Sequence, residues 1–224
     1  MSYQIYPRIK ASFIAVLFLI LVLVFIFVSL NIFGTAFRKL GFPPEYSVYF
    51  LFLSLLGSYV NLPIKNVKSH VPVISSEVSD SLLSGNAASS LKAERITIAV
   101  NLGGAVIPVV MSVFLSTLVS FVDVLIGVLI VTILIHKIAK PVKGAGIAIH
   151  ALLPPLLAVS TALIISPHNA PLIAYISGTL GCLIGIDILN LKKLPDLGMP
   201  VVSIGGAGTF DAIFLTGIIS VLLA

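Results

Sequence analysis

Residues 11–33 read ASFIAVLFLILVLVFIFVSLNIF, an unbroken apolar run from Ala11 to Phe33 with no charged side chain. As a helix it extends about 35 Å, enough for a hydrocarbon layer of about 30 Å. It is longer than the roughly 7–15-residue core of a signal peptide and has no small-residue cleavage site, so it is expected to remain as a first membrane span. The rest of the chain has the same character. Of 224 residues, 58% are hydrophobic and 9% charged, and the mean hydropathy is +1.19. Soluble domains carry about 25% charged residues, so the composition is that of an integral membrane protein whose first partner is the bilayer. The net charge of +5 is spread over loops as isolated Lys and Arg, which serves topology better than nucleic-acid binding. The single cysteine, Cys182, excludes an intramolecular disulfide, and its apolar setting suits packing. There is no zinc-ligand cluster, Walker-type loop or Gly-x-Ser-x-Gly elbow, so no metal and no cofactor is expected.

Outward from the first run, Pro43-Pro44 stops a loop carrying Arg38 and Lys39, and spans follow at about 46–60, 97–116, 120–136, 145–165, 171–190 and 200–224. The 40-residue apolar stretch 96–135 is twice one crossing and is divided near Ser116–Ser120 into a helical hairpin. The segment 63–95 is the one long polar stretch, expected as an extramembrane inner loop with one short helix. The expectation is an all-α polytopic bundle of about seven transmembrane helices in a single domain, 1–224. Putting the N-terminus inside gathers Arg8, Lys10, Lys65, Lys68, Lys92, Arg95, Lys137, Lys140, Lys143, Lys192 and Lys193 on one face and leaves only Arg38 and Lys39 on the other. This asymmetry predicts N-in and C-out.

Two acidic residues stand apart from the loops. Asp187 lies near the end of span six and Asp211 near the start of span seven. A carboxylate at hydrocarbon depth costs at least about 2.5–3.5 kcal/mol, which marks such groups as functional candidates. With the N-terminus inside, Asp187 sits about 5 Å and Asp211 about 15 Å from the inner surface if both segments are helical. Two carboxylates in contact share a proton, and such a pair activates water and protonates a leaving group. Gly205, Gly206 and Gly208, with Thr209, would admit an extended backbone, as cleavage of a transmembrane peptide substrate requires. His150, Asn190 and Asn101 are polar groups at comparable depth, suited to a proton relay or to satisfying backbone carbonyls and capping. Val100-Asn101-Leu102-Gly103-Gly104-Ala105 is echoed by Val202-Ser203-Ile204-Gly205-Gly206-Ala207, a repeat in parallel orientation. Glycine interruptions at matching places mark binding sites in transporters.

These residues carry two resemblances. Asp187 at the inner end of one span, with Asp211 after a glycine-rich opening of the next, resembles the presenilin and signal-peptide-peptidase family of intramembrane aspartyl proteases. The likeness covers residues 180–224 and implies a catalytic aspartate pair. It departs from that family in three respects: Thr209-Phe210 separates Gly208 from Asp211, no Tyr precedes Asp187, and no Pro-Ala-Leu follows. Leu153-Pro154-Pro155-Leu156 would be the substitute for that proline segment. Asp187 followed by Leu194-Pro195-Asp196 is also weakly similar to prepilin peptidases. More closely, Gly205-Gly206-Ala207-Gly208-Thr209-Phe210-Asp211 with Ile213-Phe214-Leu215-Thr216-Gly217 resembles a bacterial and archaeal membrane family catalogued as domain of unknown function 1614. That resemblance implies several spans and no activity. Three functions stay open on these residues: an aspartyl endopeptidase, a transporter or channel with a proton or cation site at the same aspartates, and a non-catalytic protein. In the last, Asp211 complements the positive end of a helix capped near Thr209, and Asp187 leans toward Lys192 or Lys193.

Overall fold

The computed structural model describes residues 11–68, 95–142, 146–196, 199, 201–206 and 209–224. The first apolar run forms α1 (Ala11–Lys39). It ends as a Schellman motif: Phe42 N–H donates to Phe37 O at 2.9 Å, and Gly41 N–H donates to Arg38 O at 3.0 Å. Gly41 holds φ +86°, the left-handed conformation this cap requires. The rings of Phe37 and Phe42, 5.9 Å apart, close the motif.

The chain continues through α2 (Tyr46–Gly57), β1 (Asn61–Lys68) and β2 (Arg95–Asn101). A π-helical turn, Leu102–Val106, then leads into α3 (Ile107–Ser116). After α4 (Phe121–Ile138) comes a short hairpin, β3 (Lys140–Val142) and β4 (Gly146–Ala148). α5 (Leu153–Ile165) and α6 (Ala170–Cys182) follow. α6 runs on as a π turn, Leu183–Asp187, and a 3₁₀ segment, Ile188–Asp196. β5 (Val201–Ile204) and α7 (Phe210–Leu223) complete the described chain.

Among the described residues, three helical stretches are long and apolar enough to cross a membrane: Phe18–Lys39, Phe121–Ile138 and Pro167–Lys193. The protein is therefore mostly helical and of membrane type. Four further apolar helices are shorter than the roughly 20 residues a crossing needs. The all-α expectation is corrected by two small sheets. β1 pairs antiparallel with β2, and β2 pairs parallel with β5 in the register Thr97↔Val201 to Val100↔Ile204. Segments 97–101 and 201–204, read as the openings of spans three and seven, are thus strands, and the span expected from residue 145 begins as β4. Residues 61–68 and 95, placed at the margins of a loop, belong to the sheet. The helix expected within that loop lies outside the described residues.

α6 is the axis of the bundle, packing against α3, α4, α5 and α7. Ile173, Ala174, Tyr175 and Ile176 are all buried. Its glycines set the spacing: a Cβ on Gly181 would lie 2.6 Å from Val131 Cγ1 of α4, and one on Gly178 would lie 2.8 Å from Thr216 Cγ2 of α7. Small residues at such crossings let helices pack closely where water-driven burial is absent. Aromatic stacking ties α7 to α2, with Phe214 and Phe50 centroids 6.2 Å apart and nearly parallel. α1 by contrast shows Phe18, Phe25 and Phe27 about two-thirds exposed, as expected of a helix facing lipid.

Candidate functional site

The site forms where the π turn that extends α6 meets the turn between β5 and α7. The π turn Leu183–Asp187 inserts an extra residue into the helical ladder, and one of its backbone carbonyls is met by side chains. That carbonyl, Gly185 O, accepts from Asn190 Nδ2 at 3.2 Å and lies 3.1 Å from His136 Nδ1. The same Nδ1 lies 3.4 Å from Asn190 Nδ2, so the tautomer of His136 sets whether it donates to Gly185 or accepts from Asn190. Asn190 is fully buried; it also donates to Ile186 O at 2.8 Å and accepts from Lys193 Nζ at 2.8 Å. Gly185 has no room for a side chain, since a Cβ there would fall 2.8 Å from Thr132 O of α4.

The π turn delivers Asp187 to the interior, 6% exposed. Its Oδ2 accepts from Gly205 N–H at 2.6 Å and from Thr209 Oγ1–H at 3.1 Å. Gly205, at φ +69°, turns its amide inward immediately after β5. Thr209, expected as a helix cap, precedes α7 but makes no side-chain cap bond to it. Its hydroxyl serves Asp187 instead. The two donors meet the need of a buried carboxylate for partners.

Asp211 lies in the first turn of α7 and is exposed. Among the described residues, no hydrogen bond joins it to Asp187. The link between the acids is Thr209, which bonds Asp187 and precedes Asp211 by two positions. The glycines admit close neighbours, but those neighbours belong to the chain itself. A Cβ on Gly104 would lie 2.0 Å from Gly205 O, and one on Gly206 would lie 2.5 Å from Ser203 Cβ. Gly208 lies outside the described residues. The two echoed glycine segments meet backbone to backbone, each after one of the parallel strands β2 and β5.

Asn101 caps the π turn opening α3, its Oδ1 accepting from Gly104 N–H at 2.8 Å. Its Nδ2 donates to Ser58 O at 2.6 Å and to Asn61 Oδ1 at 3.0 Å. Asn61 Oδ1 also accepts from Ser203 Oγ at 2.6 Å, so one amide ties the ends of all three strands. His150 lies away from this cluster. It is exposed and lines an open cavity with Lys137 and Lys140. The residue missed by the sequence reading is His136. Its signal was a basic group in the last turn of an apolar helix, there masked by the neighbouring Lys137.

A mostly helical membrane-type protein with a buried carboxylate at a strand–helix junction is the class that the fold and site define. The chain belongs to the family described as Protein of unknown function (DUF1614), whose model matches residues 55–223. No curated protein and no solved structure matches it.

Proposed function

We propose that the protein is an intramembrane aspartyl endopeptidase that cleaves membrane-spanning peptides at Asp187 and Asp211. The observation that carries this reading is the bonding of Asp187 to Gly205 and Thr209. It brings the buried acid of the π turn against the segment that bears the second acid. In the reaction, one carboxylate takes a proton from a water as its oxygen adds to the peptide carbonyl. The other, protonated, gives its proton to the departing amide nitrogen. Among the described strands β5 pairs only with β2, and its free edge leads into Gly205. A substrate unwound from its helix adds there as a strand, its backbone satisfied by β5.

The reading includes seven crossings with the N-terminus inside. Support comes from the sheets: β1, β2, β5 and the β3–β4 hairpin, which hold Lys65, Lys68, Arg95 and Lys140, join segments that the charge bias assigns to one side. The four short helices complete their crossings with the strands or turns beside them, as irregular backbone is tolerated at membrane depth where protein covers it.

In vesicles holding a transmembrane reporter, Asp187→Asn and Asp211→Asn each reduce cleavage at least about a thousandfold, in line with loss of one member of a catalytic unit. Cleavage surviving in Asp187→Asn sinks the proposal. A second reading, a proton or cation path through Asp187, draws on the contact of two interrupted segments at Gly104 and Gly205. It predicts ion-coupled uptake in those vesicles, lost in Asp187→Asn, with the reporter intact.

A further inference from the structure

α4 ends at Ile138 with Lys137 in its last turn, and the chain then folds back through the β3–β4 hairpin toward α5. Between these elements lies an open cavity of about 630 Å³. Its polar lining includes Lys137, Lys140 and His150, all exposed, and its apolar lining includes Ile138, Ile149 and Leu153. None of these groups bonds to Asp187, and the cavity is separate from the site above.

We infer that this cavity binds the headgroup of an anionic phospholipid, with the phosphate on Lys137 and Lys140 and an acyl chain along Ile149 and Leu153. Three observations favour a lipid. The cavity sits at the polar end of a helix long enough to cross the membrane, the level at which headgroups lie. Its cations stand beside apolar side chains, a combination that a free phosphate has no use for and that a two-part amphiphile satisfies. Leu153, 42% exposed, and Val142, 41% exposed, extend the apolar lining to the surface, leaving a route for a hydrocarbon chain. An acidic peptide would also meet the lysines, but it would leave this apolar lining uncovered.

Each lysine near an anionic surface contributes a factor of about five in affinity, so losing both weakens binding on the order of 30-fold. The full chain in neutral detergent is titrated with phosphatidylglycerol or phosphatidylcholine, and bound lipid is read by native mass spectrometry. Phosphatidylglycerol binds more tightly. Lys137→Gln/Lys140→Gln loses that preference, whereas Lys137→Arg/Lys140→Arg retains it. Lys65→Gln/Lys68→Gln, which removes the same charge from β1, retains it too, separating a site from general attraction. Equal binding of the two lipids overturns the inference, as does undiminished phosphatidylglycerol binding in the Gln pair. So does displacement of the lipid by equimolar glycerol phosphate or by an acidic peptide, which would assign the cavity to a soluble anion or to a protein segment.

Discussion

At the scale of single residues, Asp187 is defined by its donors. Burying a carboxylate without partners costs far more than the roughly 1 kcal/mol net value of a made hydrogen bond, so the bonds to Gly205 and Thr209 are conditions for the fold as well as for the site. Thr209→Val keeps the shape and removes the hydroxyl. It is expected to lower stability by about 1–3 kcal/mol, seen as a lower thermal midpoint of the detergent-solubilised chain. Thr209→Ser, which keeps the donor, should stay near the wild-type midpoint. Equal midpoints for Val and wild type would show that the bond contributes nothing. That the acid at position 187 stands in apolar surroundings was legible in the sequence. That Thr209 would turn toward it, instead of capping α7, was not, because a hydroxyl chooses among partners only once they are neighbours.

At the scale of elements, the two glycine segments are the instructive pair. Their likeness was visible in sequence, and so was their parallel orientation. The parallel β2–β5 pairing agrees with that orientation, although the strand register aligns Val100 with Ile204, two positions off the sequence echo. The strands themselves were hidden. Residues 97–101 and 201–204 are apolar enough to pass as helix, and their partners lie across the fold, not along the chain. In sequence the glycines suit openings for a substrate or cavity; in the structure Gly104 and Gly205 each accommodate the other's backbone. Gly104→Ala places a Cβ 2.0 Å from Gly205 O, so the two turns must separate. The expected loss is about 1–3 kcal/mol or more. Gly127→Ala, where the nearest atom is Ser177 Cβ at 3.2 Å, should cost less. Similar thermal midpoints for the two variants would argue against a rigid glycine contact.

At the scale of the whole molecule, hydropathy and charge bias make an orientation testable without knowledge of the reaction. In a Cys182→Ala background, Lys192→Cys should react with an impermeant maleimide only from the cytoplasmic side, and His168→Cys only from the opposite side. Labelling of both from one side would remove the seven-crossing arrangement, and with it the placement of Asp187 near the inner leaflet.

The sequence alone determined that the chain is of membrane type, and that Asp187 and Asp211 stand within apolar runs. Each follows from the free energy of transferring one side chain or one short run out of water, a property local to the chain. Only the tertiary structure decided that two apparent span openings are strands, that Asp187 is bonded by Gly205 and Thr209, and that His150 belongs to a basic cavity and not to the acids. These depend on which backbone and hydroxyl donors arrive at a common point from segments 18 to more than 100 residues apart, and directional bonds of that kind have no signature in hydropathy.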